Sequence, residues 1–162
     1  MRSLAVAAVF LVGMAAASAH ATGEFSHEGW SGKAMHQDGK FIQCWMSMSA
    51  INNYDLILAL NATGEWRLGF RSNKIDLGWR ALFGQKFAVR MQIDDSPVLT
   101  KAFEPKGNDR LTTSLNNTDW EKRLPTGKLL RINTGRVKLF HLDGIKQAMG
   151  MLRACVSKQQ TA

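Results

Sequence analysis

The sequence predicts a mainly β domain of α+β type: an antiparallel β-sandwich or flattened barrel of about seven or eight strands, with one C-terminal α-helix packed on it. Three observations carry that expectation. Between residues 40 and 142, apolar and polar residues alternate in short runs, which is the period of a half-buried strand. Turn-forming stretches such as HQDG, NATG, DDSP and KGND punctuate those runs. After Asp143 the period becomes helical, with Ile145, Ala148, Met149, Leu152 and Val156 on one stripe.

The chain opens MRSLAVAAVFLVGMAAASAHA. Arg2, an uncharged apolar run from Leu4 to Met14 and small residues up to Ala21 fit a cleaved export signal over residues 1–21. That run is too short to span a bilayer, and no later stretch approaches about 18 apolar residues. The expected mature chain is one domain, residues 22–162, with no transmembrane segment. The periplasm is its expected destination, with the extracellular space as the alternative.

Residues 22–39 read as a polar, glycine-spotted segment ending in the HQDG turn. The strand expected at 40–50 places Ile42, Cys44, Met46 and Met48 on one face. Residues 55–60 and 65–72 make a hairpin, with Trp66, Leu68 and Phe70 opposite Arg67 and Arg71. Residues 73–85 read as an irregular crossover or a helical turn around Trp79. In 86–95, Phe87, Val89, Met91 and Ile93 lie opposite Arg90 and Gln92. Runs at 98–105, 110–115, 128–134 and 135–142 supply the remaining strands. A short helix is expected from Thr118 or Asp119, stopped by Pro125, whose ring removes a backbone donor. Asp143 is the expected N-cap of a final helix over 143–159, because its carboxylate can accept a free first-turn amide.

Two cysteines in an exported chain point to a disulfide, so Cys44 and Cys155 are expected to tie the last helix to the first strand of the core. Bonded to each other, neither serves as a catalytic thiol. The mature histidines, His27, His36 and His141, are accompanied by no G-x-S-x-G, H-E-x-x-H or glycine-rich phosphate motif. The chain is therefore expected not to be an enzyme and to need no cofactor; a hydrolase with a site assembled across the fold is the further alternative.

His36, Met46 and Met48 form a soft ligand set suited to Cu(I). Together with Trp45, this set resembles the His, Trp and Met-x-Met ligands of small periplasmic copper chaperones of the five-stranded barrel type. The resemblance covers these few residues only, and the Trp-to-Met spacing differs. It implies Cu(I) binding as an alternative function; Met46 and Met48 also read as ordinary core methionines.

The full chain carries 21 Lys+Arg against 13 Asp+Glu, a net charge of +8. Such a surface attracts anions. Arg67, Arg71 and Arg90 fall on polar strand faces, and Lys74, Arg80 and Lys86 flank the connection between those strands, with Trp79 as an aromatic neighbour. If the two strands are neighbours, these residues form one basic face. The export signal argues against nucleic acid as the partner, and no nucleic-acid motif is present. The expected function is a non-enzymatic binding or accessory protein that recognises an acidic protein or an anionic envelope component, a class that includes inhibitors and host-interaction factors.

Overall fold

The computed structural model describes residues 23–50, 53–72, 84–106, 109–116 and 118–161. The expected export signal lies outside them. Ten strands follow one another: β1 (Glu24–His27), β2 (Trp30–Gln37), β3 (Lys40–Ser49), β4 (Tyr54–Asn61), β5 (Trp66–Ser72), β6 (Phe87–Ile93), β7 (Leu99–Lys106), β8 (Arg110–Ser114), β9 (Leu129–Asn133) and β10 (Val137–His141). A short helix α1 (Trp120–Arg123) runs into a 3-10 turn (Leu124–Thr126), and the chain ends in α2 (Ile145–Gln160). Pro125 sits at the start of that 3-10 turn, where its missing amide costs nothing.

All strand pairings are antiparallel, in the order β1-β2-β3-β4-β5-β8-β7-β6-β9-β10. This corrects the expected sandwich or flattened barrel of seven or eight strands: there is one unclosed ten-stranded sheet. Alternation assigns each residue a face but no neighbour, so two layers and one curled layer look alike in the sequence. The sheet curls enough that Phe140 on β10 lies 6.4 Å from Phe70 on β5, which in turn lies 5.9 Å from Phe103 on β7.

Two of the ten strands, β1 and β2, fall in the segment read as polar. The inward positions of β2 after the buried Trp30 are Gly32 and Ala34, too small to mark an apolar face. A Cβ on Gly32 would come within 2.5 Å of the Met46 Cβ. Close approach to β3 therefore demands glycine there and removes the signal that would have revealed the strand. The hairpin turns on either side are plain: Glu28-Gly29 and Asp38-Gly39 all have positive φ, as a two-residue hairpin turn of the right twist requires.

Helix α2 lies over β1–β4 and against the 3-10 turn. Ile145, Ala148, Met149, Leu152 and Val156 are all buried, the stripe read from the sequence. Leucine-sized side chains buried this way stabilise the fold by roughly 1.5–3 kcal/mol each. The helix start differs from expectation. Asp143 does not cap it; the N-cap is Gly144, with φ 69° and no side-chain cap bond. The Asp143 carbonyl instead accepts a hydrogen bond from Trp30 Nε1 at 2.8 Å, pinning the helix entry to β2. Cys44 and Cys155 lie at disulfide distance, joining β3 to α2 across 111 residues of sequence.

Candidate functional site

Side chains of β5, β8, β7 and β6 alternate between the buried interior and an outer face. On that outer face Arg71 is directly opposite Arg110, and Arg110 is directly opposite Lys106, so three strands present cations in one row. Like charges directly opposite each other destabilise a sheet unless something offsets them. Each has an acidic companion: Arg71 pairs with Asp55, Arg110 lies 3.5 Å from Asp109, and Lys106 lies 3.4 Å from Glu104.

The neighbouring row holds Glu104 opposite Thr112, and Thr112 opposite Gly69. Gly69 lies between Arg67 and Arg71 on the same strand face, and a Cβ there would come within 2.7 Å of the Leu111 carbonyl. The glycine thus allows β8 its close approach and leaves a gap between the two arginines. Beside it is a shallow cleft of about 240 Å³, lined among others by Arg67, Lys86, Lys101, Glu104, Thr112 and Ser114. Lys86 Nζ lies 2.8 Å from Glu104. Its hydrogen bond first, and that of Lys106 next, hold the Glu104 carboxyl below its ordinary value.

Arg71 has a different role from its neighbours. Its guanidinium donates to Asp55 Oδ2 through Nε at 3.0 Å and also through Nη2, while Ser49 Oγ donates to Asp55 Oδ1 at 2.9 Å. Asp55 stands on the same outer face as Arg71 but is buried beneath its neighbours, so Arg71 is committed to neutralising a buried charge. Arg67 is half-exposed and paired with Glu65 at 3.2 Å on its own hairpin.

The expected basic face is thus partly regrouped. Arg67, Arg71 and Lys86 come together, joined by Arg110 and Lys106, which sequence reasoning missed. Arg90 is also on the outer face, but β5 and β6 are not neighbours. β8 and β7 lie between them, placing Arg90 three inter-strand steps, about 14 Å, from β5. Lys74, Trp79 and Arg80 lie outside the described residues.

The alternative ligand set is not brought together. His36 is at the turn end of β2, opposite Phe41, whereas Met46 is opposite Gly32. Five strand positions separate Phe41 from Met46, about 17 Å. Met46 is wholly buried, and His36 is hydrogen-bonded to Gln159 at 3.0 Å. Among the described residues no three His, Cys, Asp or Glu side chains group to hold a metal ion. His27 lies 3.5 Å from Glu28, and His141 is exposed on β10. Among the described residues no helix is long and apolar enough to cross a membrane. Neither the family models, nor the curated proteins, nor the solved structures contain a match to this chain.

Proposed function

We propose that the protein is an exported, non-enzymatic binding protein that captures an anionic partner on the outer face of β5, β8 and β7. The export signal over residues 1–21 and the Cys44–Cys155 pair favour an oxidising compartment, with the periplasm first. The observation that carries the reading is the cation row Arg71–Arg110–Lys106 beside a cleft edged by Arg67 and Lys86. The acidic companions offset repulsion within the row, and an anionic partner competes with them for the exposed cations. Arg67, Arg110, Lys106 and Lys86 are the groups that contact the partner. Arg71 holds the row in place through Asp55.

The test is charge reversal with a matched control. Arg67→Glu, Arg110→Glu and Lys106→Glu together should lower capture of an immobilised polyanion by more than tenfold and leave the melting temperature within a few degrees. Lys122→Glu, Lys146→Glu and Lys158→Glu reverse the same number of charges at exposed helix positions and should change capture far less. Equal losses in both triple variants would reduce the effect to net charge and sink the site.

A further inference from the structure

We propose that the anionic partner is an acidic polysaccharide lying across the strands, with a sugar ring on Trp45 and its acid groups at Arg67 and the cations beyond it. This rests on the basic-face reading and narrows its ligand. The observation behind it is a second shallow cleft on the same outer face, about 390 Å³, with Glu24, Ser26, Ser31, Lys33 and Trp45 among its lining residues.

The sheet register connects the two clefts. Lys33 is opposite Trp45, Trp45 opposite Ala59, Ala59 opposite Arg67, and Arg67 opposite Ser114. A single cross-strand row therefore runs from the tryptophan cleft into the basic cleft. Between Trp45 and Arg67 this row carries only the methyl group of Ala59, itself covered by its neighbours, so no bulky side chain of the row separates the two clefts. The two side chains stand two inter-strand steps apart, roughly 10 Å, and one step is close to the length of a sugar residue in an extended glycan.

Trp45 differs from the other described tryptophans. Trp30, Trp66 and Trp120 are buried in the core, where Trp30 donates a hydrogen bond to Asp143 and Trp66 lies under the Arg153 guanidinium. Trp45 is half-exposed on the outer face, and among the described residues its ring has no aromatic or cationic partner and its Nε1 donates no hydrogen bond. An indole face flanked by small hydroxyls suits the apolar face and hydroxyl rim of a pyranose. Ser26, Ser31 and Ser47 stand in register across β1, β2 and β3, supplying three such hydroxyls. Lys33 and Glu24 add one donor and one acceptor group.

A protein partner would call for a different surface. Protein interfaces are built round an apolar, desolvated centre. Of the large exposed apolar side chains among the described residues, Val98, Val137 and Leu139 lie off this row, before β7 and on β10, Ile42 shares the Cys44 face of β3, and only Met35 stands on the outer face beside the row, which makes no apolar centre.

The experiment compares three polymers of matched length by calorimetry: polygalacturonate, poly-glutamate and dextran. Polygalacturonate should bind about tenfold more tightly than poly-glutamate and far more tightly than dextran. Trp45→Ala should remove that advantage, and Ser31→Phe should do the same by filling the cleft from an exposed position. Both should leave poly-glutamate binding unchanged, whereas Arg67→Glu should weaken binding of both polyanions. Melting curves report whether each variant folds, and Ser31→Phe decides the matter if Trp45→Ala does not. Equal binding of the two polyanions with no effect of either cleft variant would overturn the glycan and leave the basic face standing. Dextran bound as tightly as polygalacturonate would also overturn it, by removing the need for acid groups. No binding of either polyanion would refute the basic face as well.

Discussion

Trp45 and Met46 are consecutive in β3 and belong to different parts of the molecule. Met46 points into the curl of the sheet and is wholly buried. Trp45 points outward, in a row that leads to Arg67. The same division runs along the whole sheet: Leu68 and Phe70 inside against Arg67 and Arg71 outside, Leu111 inside against Arg110 outside. Inside, every side chain is held by many neighbours, so its loss is felt as stability. Outside, the rows set charges and one aromatic ring at fixed spacing, so a loss there should be felt as binding. Arg71 breaks the rule, because an outward arginine is tied to the buried carboxylate of Asp55.

The largest expected effect is on the inner side. Removing the Cys44–Cys155 link by reduction or by Cys155→Ser should cost about 4–5 kcal/mol in the chain-entropy account of so long a loop. Thermal melting with and without reductant measures it, and an unchanged transition would show that the two sulfurs are not joined in the folded protein. Phe70→Ala should follow at about 3–5 kcal/mol, because Phe70 meets both Phe103 and Phe140 where the sheet curls over. A loss below about 1 kcal/mol in denaturant melts would mean that the curl does not depend on that cluster.

Arg71→Ala is the test that sharpens the division between the faces. Stripping the guanidinium from a buried carboxylate should cost about 1–3 kcal/mol, unlike any neighbouring cation. If Arg67→Ala and Arg110→Ala cost as much, the outer row is a structural feature and the comparison of the faces fails.

The smallest effect concerns Glu104. Glu104→Gln should leave the melting temperature almost unchanged and tighten polyanion capture, because it frees Lys86 and Lys106. Its carboxyl is held below its ordinary value, first by Lys86. Whatever stability that pairing contributes is present above the ordinary carboxylate pKa and is lost as the pH falls through the lowered one. Capture of a sulfated polymer, whose charge does not titrate, should show a Glu104-dependent rise only at that acidic end. A rise of the same size in Glu104→Gln would assign it to another group.

How much of this was legible in the sequence depended on period and side-chain size. The stripe on α2 could be read because five bulky or closely packed positions repeat at helical spacing. The outward direction of Arg67 and Arg90 could be read because their neighbours alternate. Their separation could not, since nothing local says that β8 and β7 are inserted between β5 and β6. For the same reason Arg110, Lys106 and Glu104 escaped notice, although their strands were recognised. Strand β2 escaped because its inward residues shrink to Gly32 and Ala34. Asp143 had the right chemistry for a cap, but a left-handed Gly144 takes that position.

The long span of the Cys44–Cys155 link also sets a timetable. On the proposed export route Cys44 reaches the oxidising compartment early, with β3, whereas its partner follows only after the last strand, β10. Until then Cys44 is a lone thiol open to the wrong bond. The link through α2 is therefore the last covalent tie available to the fold.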